Sequence, residues 1–223
     1  MMKLTQTFLG LAITGMLAAA PAFAASEQQQ LLDQSATTIA AMKSDPSFGN
    51  AKDLLLRARA VMVVPQLVKA GFFLGGEGGS GVLTARTGSG WSNPAFYTVA
   101  GASFGLQIGV ETAEVVFFVM SDRALTAWMK DEVTLGANAG LTLLVVGSNA
   151  EASTTSNADV DVIAWARSKG AYAGITLEGS IIKPRDSYNE AYYGKKMTGQ
   201  QLLANANAPH GGQTDSLRTA LSK

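Results

Sequence analysis

Val63-Val64-Pro65-Gln66-Leu67-Val68-Lys69-Ala70-Gly71-Phe72-Phe73-Leu74-Gly75-Gly76-Glu77-Gly78-Gly79-Ser80-Gly81-Val82-Leu83 is the stretch on which the fold turns. Short β-branched and apolar runs are interrupted here by proline and glycine, the pattern of strands joined by connections. The run 61–64 stops at Pro65, and the runs 70–74 and 81–86 flank the glycine cluster. One reading makes the cluster a flexible hairpin connection, with residues 70–74 paired to 82–86. Two others stay open: a backbone nest for an anion, and a close-approach site at which Glu77 takes part in binding. Gly76, Glu77, Gly78, Gly79 and Ser80 therefore form a candidate ligand loop. A nucleotide phosphate loop is excluded, because no Gly-Lys-Ser/Thr follows and the next run is strand-like.

Working outward, Ser26 with Gln29 reads as a capping box, and Leu31, Leu32, Ser35, Ile39 and Met42 recur near the helical period. This predicts a first helix over 27–43, broken at Asp45-Pro46, and a second over 50–59. The second has Leu54, Leu55 and Ala58 on its apolar side and Lys52, Arg57 and Arg59 on the other. Downstream, 87–90 reads as a turn before Trp91, 106–110 alternates like a half-buried strand, and the continuous apolar run 115–120 reads as a central one. Ser121 caps a short helix over 122–129. Strand-like runs resume at 140–146, 160–168 and 171–182, and a Tyr-rich helix over 186–193 ends at Gly194. The many strand glycines favour bends and bulges. The expected fold is α+β: one domain, a curved antiparallel sheet or small barrel-like body with N-terminal and C-terminal helices.

The N-terminus reads as an address. Lys3, the apolar run 8–20 and the small-x-small site Ala22-Phe23-Ala24 form a secretory signal peptide over residues 1–24, cleaved after Ala24. The expected product is exported, periplasmic or peripherally membrane-associated. Its domain covers 25–204, and 205–223 forms a polar linker with a short last helix.

The residues that most catalysis needs are scarce. The chain has no cysteine and one histidine, His210, which sits in a Pro-His-Gly-Gly stretch, so zinc sites and Ser-His-Asp or Cys-His arrangements cannot be assembled. Glu77, Glu111, Glu114, Asp159, Asp161 and Glu178 are available, but no spacing singles out a catalytic pair. Asp159 and Asp161 share one side of a strand; two carboxylates are too few for calcium, and an exposed polar strand face is the simpler account. No catalytic residue, metal or cofactor is expected. Seventeen basic residues balance seventeen acidic ones, which leaves no global field to attract nucleic acid.

The quoted stretch resembles the signature of the SYLF family, also called DUF500, the Ysc84-type domain. Trp91-Ser92-Asn93-Pro94-Ala95-Phe96, Gly105-Leu106-Gln107-Ile108-Gly109, Ser168-Lys169-Gly170-Ala171-Tyr172-Ala173-Gly174 and Tyr192-Tyr193-Gly194 are similar to its later blocks and stand in family order. The resemblance implies a β-rich mixed fold and lipid binding. Eukaryotic members are phosphoinositide- and actin-binding modules, and bacterial ones are exported envelope proteins, in which actin is not an expected partner. The family's membrane contact lies in a basic amphipathic N-terminal region, which implies lipid-binding roles for Lys52, Arg57, Arg59 and Lys69 beside Leu54, Leu55 and Leu56. The expected function is a non-catalytic module binding an anionic phospholipid or phosphoinositide-like lipid in the bacterial cell envelope. The alternative is an envelope interaction protein that meets a partner through its sheet surface and the segment Tyr188, Tyr192 and Tyr193, although the preferred reading of these tyrosines is as core residues covering the sheet.

Overall fold

The computed structural model describes residues 26–130, 132–136, 141–146, 160–169, 177–206 and 215–222. The expected leader over 1–24, Asp159 and His210 lie outside them.

Ser26 starts α1 (Glu27–Lys43), its hydroxyl accepting a hydrogen bond from Gln29 N at 3.2 Å. Leu31, Leu32, Ser35, Ile39 and Met42 all face the core, as the spacing predicts. A single 3-10 turn, Pro46–Phe48, follows, and α2 (Ala51–Arg57) is shorter than expected. It ends where Ala58 turns extended and the chain enters the sheet.

The three strand-like runs about the glycine cluster are one strand. β1 (Ala60–Thr87) pairs antiparallel with β3 (Ala95–Val119) from Ala60↔Val119 to Leu83↔Ala95, forming a long two-stranded ribbon. The reversal is at residues 88–90, where Gly90 takes φ 119° and β2 (Gly90–Trp91) turns back on Arg86 and Thr87. The turn expected at 87–90 is thus present, whereas the hairpin expected at 75–81 is not: Gly75 to Gly81 pair with Ser103 to Tyr97 in mid-ribbon.

Pro65 does not end the strand, because the register slips by one residue between Val64 and Leu67 and the bulge absorbs a residue that has no N–H to donate. A second slip lies between Gly71 and Phe73. The ribbon doubles back on itself between these irregularities and the glycines. A Cβ at Gly79 would stand 2.7 Å from Gln66 O and 3.2 Å from Leu67 Cα, and one at Gly81 would stand 3.1 Å from Val63 O. These two glycines are the places where β1 meets its own beginning.

β3 is central, as its apolar run predicts: Val115 to Val119 are fully buried. Beyond β1 it pairs at one end with β6 (Val162–Lys169) and at the other with β7 (Ile181–Pro184). Between those partners, residues 101–111 pair only with β1 among the described residues. β5 (Leu143–Val146) runs parallel to β6, and β4 (Val133–Thr134) pairs with β7, giving seven strands among the described residues in one mostly antiparallel sheet.

Ser121 caps α3 (Asp122–Lys130), accepting from Ala124 N at 3.1 Å. α4 (Asp186–Tyr193) ends at Gly194 with φ 68°. α5 (Gly199–Leu203) opens with the capping box of Thr198 and Gln201. α6 (Ser216–Ser222) returns to α1, where Ser216 donates to Asp33 at 2.7 Å and Lys43 Nζ to Ala220 O at 2.8 Å. The fold is α+β, a curled sheet flanked by N-terminal and C-terminal helices.

Candidate functional site

The basic residues separate into two places. Lys52 and Arg57 are exposed on α2, and Arg59 follows immediately, its Nε 3.2 Å from Asp122 Oδ1. Lys69 lies ten positions further along β1, on the order of 30 Å of extended chain away. It stands opposite Glu111 in the ribbon. Lys43 joins the first group: burial and then the charge of Lys52 lower its pKa, and nothing in the linear spacing flagged it.

The leucines beside the patch divide as well. Leu54 and Leu55 are buried in the core, while Leu56 is 75% exposed. Three consecutive leucines advance about 100° each around a helix, so one of them must leave the apolar face; that signal was present in the sequence. Lys52 and Leu56, four apart, share the outer face. Val110, 74% exposed, pairs with Ala70 on the rung next to Lys69 and Glu111. The α2 group thus has an exposed large apolar side chain as its neighbour, whereas Val110, one residue along β3 from Glu111, points to the opposite face of the ribbon from Lys69.

Gly76, Glu77, Gly78, Gly79 and Ser80 form no loop; they are strand residues. Glu77 is buried, reaches across the space left by Gly101, and accepts a hydrogen bond from Ser180 Oγ on Oε1. A Cβ on Gly101 would sit 2.8 Å from that oxygen. Oε2 of Glu77 is buried and has no hydrogen-bond partner among the described residues. Gly78, Gly79 and Ser80 line a cleft with the first half of α1, whose end wall is Tyr188.

Asp161 is not on an exposed polar face. It is buried and accepts from Ser121 Oγ at 2.5 Å, from Thr142 N at 3.0 Å, from Thr142 Oγ1 at 3.1 Å and from Arg123. Burial favours its neutral form, but these donors outweigh it and hold the carboxyl at about 2. Glu114, also buried, takes Arg167 through Nε at 2.8 Å and through Nη2. Both acids brace the sheet. No cluster of three potential metal-ligating side chains occurs among the described residues.

Tyr192 and Tyr193 do not present a partner surface. Both pack in the core: Tyr192 lies edge-on to Phe96 at 5.2 Å and Tyr193 donates to Pro94 O at 2.6 Å. Tyr188 is half-buried; its hydroxyl donates to Glu27 at 2.6 Å, which together with burial raises its pKa, and Arg185 stacks 3.4 Å from its ring.

The family model "Ysc84: Las17-binding protein actin regulator" matches residues 100–223. "LAS seventeen-binding protein 3" of Saccharomyces cerevisiae is 35% identical over 156 residues, covering 68% of this chain and 34% of that protein. "SH3 domain-containing YSC84-like protein 1" of Rattus norvegicus is 31% identical over 180 residues, covering 78% of this chain and 53% of that one. The chain therefore spans between a third and about half of these relatives' length. With more than half of its residues matched by the family model and relatives 31–35% identical covering more than two thirds of it, the chain belongs to the Ysc84 (SYLF) family.

Proposed function

We propose that this chain is a non-catalytic, lipid-binding module of the bacterial cell envelope, exported by its N-terminal leader and resting on an anionic bilayer through the face that carries α2. The observation that carries this reading is the pairing of exposed apolar and basic residues. Leu56 stands with Lys52 and Arg57 on the outer side of α2. Each cation close to an anionic surface contributes about 1 kcal/mol at low salt, and full burial of a leucine side chain adds about 1.5–3 kcal/mol. Together they give weak, reversible attachment. Asp122, paired with Arg59, tempers the patch.

Sedimentation with neutral and anionic phospholipid vesicles tests it. The parent should bind anionic vesicles at low salt and neutral ones much less. Arg57→Gln with Arg59→Gln should weaken that binding while leaving the melting temperature nearly unchanged, since exposed charges contribute little to stability. Leu56→Ser should weaken binding at every salt concentration. A double variant that binds like the parent throughout would remove the patch from the mechanism. The leader is tested separately, by an intact mass that starts at Ala25. A protein-interaction role is the second reading, supported by the relatives' printed names; Tyr192 and Tyr193, being core, do not serve it.

A further inference from the structure

One face of α1 serves neither the core nor the basic patch. Glu27, Gln30, Gln34 and Thr37 recur at intervals of three and four residues and so share a stripe. The stripe borders two clefts, of about 420 and 320 Å³, between α1 and the doubled ribbon. Gln34, Pro65 and Gln66 stand in the walls of both, which makes the clefts two halves of one trough. Its length follows the helix from Glu27 to Thr38, about 16 Å at 1.5 Å per residue.

The walls are rich in hydrogen-bonding groups and free of positive charge. The side chains of Gln34, Gln66 and Thr112 make no hydrogen bond among the described residues, and no lysine or arginine lines either half. The two carboxylates present are already engaged, Glu27 by the Tyr188 hydroxyl and Glu114 by Arg167. The guanidiniums nearest the walls are committed, Arg185 to Ser80 Oγ at 2.5 Å and to the Tyr188 ring and Arg167 to Glu114, so an anionic headgroup finds no uncommitted counter-charge in the lining, and an acyl chain would desolvate amides and hydroxyls without replacing their water. A peptide cannot simply add as a strand at the centre of the trough. Pro65 has no N–H there, and the bulge between Val64 and Leu67 interrupts the ladder.

We propose that this trough is a binding site for a neutral oligosaccharide. Sugar hydroxyls both donate and accept, as do the glutamine amides and threonine and serine hydroxyls of the walls. Gly78 contributes too: a Cβ there would meet nothing nearer than Val99 O at 3.9 Å, which leaves the β1 backbone open at that residue. The site is separate from α2, so it stands whether or not the lipid reading does.

The test is an NMR titration of the full chain with two neutral probes, maltotriose and tri-N-acetylchitotriose. At least one should give saturable shifts at the Gln34 and Gln66 side-chain amides and at Ser80 and Thr112. Gln34→Ala with Gln66→Ala should weaken that binding about tenfold, the scale for losing two hydrogen bonds. Both side chains are exposed, so the melting temperature and vesicle binding should not move. Thr112→Val is the independent variant should the double one misfold. The proposal fails if neither probe saturates, if the variants bind like the parent, or if a lysine-bearing peptide or anionic vesicles shift these resonances where the sugars do not.

Discussion

Where β3 meets β6, Asp161 receives hydrogen bonds from Ser121, Arg123 and Thr142, and Glu114 is held by Arg167; where β3 meets β7, Glu77 receives one bond, from Ser180, and keeps a buried oxygen without a partner among the described residues. Both ends bury acids in one sheet. At the β6 end the donors come from α3, from Thr142 just before β5 and from β6 itself, so the carboxylates tie elements together. At the β7 end room for the acid was made by deleting a side chain at Gly101, and no cation was brought in among the described residues. Burial of an acid is thus a brace only when donors accompany it.

The same isosteric change at both ends sharpens the contrast. Asp161→Asn puts an amide against groups that donate and should destabilise by about 3 kcal/mol, lowering the melting temperature by about 5–10 °C for a domain of this size. The pH dependence follows in sign. Asp161 lies at about 2 instead of 3.8, so its contribution is complete above about pH 4 and is lost as pH falls toward 2. Acid unfolding followed by circular dichroism should show that loss in the parent and much less of it in Asp161→Asn.

Within the glycine cluster the expected effects are smaller and depend on position. Gly79→Ala drives a methyl into the Gln66 carbonyl and should destabilise by about 1–3 kcal/mol. Gly76→Ala meets only Gly101 O, at 3.7 Å, and should change stability by less than about 0.5 kcal/mol. Equal losses in urea titrations of the two variants would show that β1 does not approach its own start at Gly79. Glu77→Gln keeps the acceptor for Ser180 and should change stability by less than about 1 kcal/mol, of either sign. A loss as large as that of Asp161→Asn would mean that the free oxygen of Glu77 is solvated or bound in solution.

Elements governed by neighbours in sequence were legible. The cap at Ser121, the turn before Trp91, the end of α4 at Gly194 and the central run 115–119 follow from local rules. The ribbon was not legible as one strand, because Pro65 and the six small residues of the 75–81 cluster are stop signals everywhere except where a bulge or a strand crossing needs them. The crossing partner of Gly79 is Gln66, and nothing local announces that contact. The site shows the same division. Lys52 and Arg57 were readable from the helix period, whereas Lys69 lies ten residues beyond Arg59, in the ribbon that the sequence did not announce. The trough along α1 needed the ribbon's fold before Gln34 and Gln66 could face each other.

The ribbon also implies an order of assembly. Its rungs near Leu83↔Ala95 join residues twelve apart, while Ala60↔Val119 joins residues 59 apart. Loop-closure entropy rises with the logarithm of that separation, so pairing starts most readily at residues 88–90 and each further rung closes on the one before. The slip at Gly71 and the bulge at Pro65 lie late on that path. The crossing of Gly79 over Gln66 must wait until both have formed, which makes this contact a late checkpoint in folding as well as a part of the finished sheet.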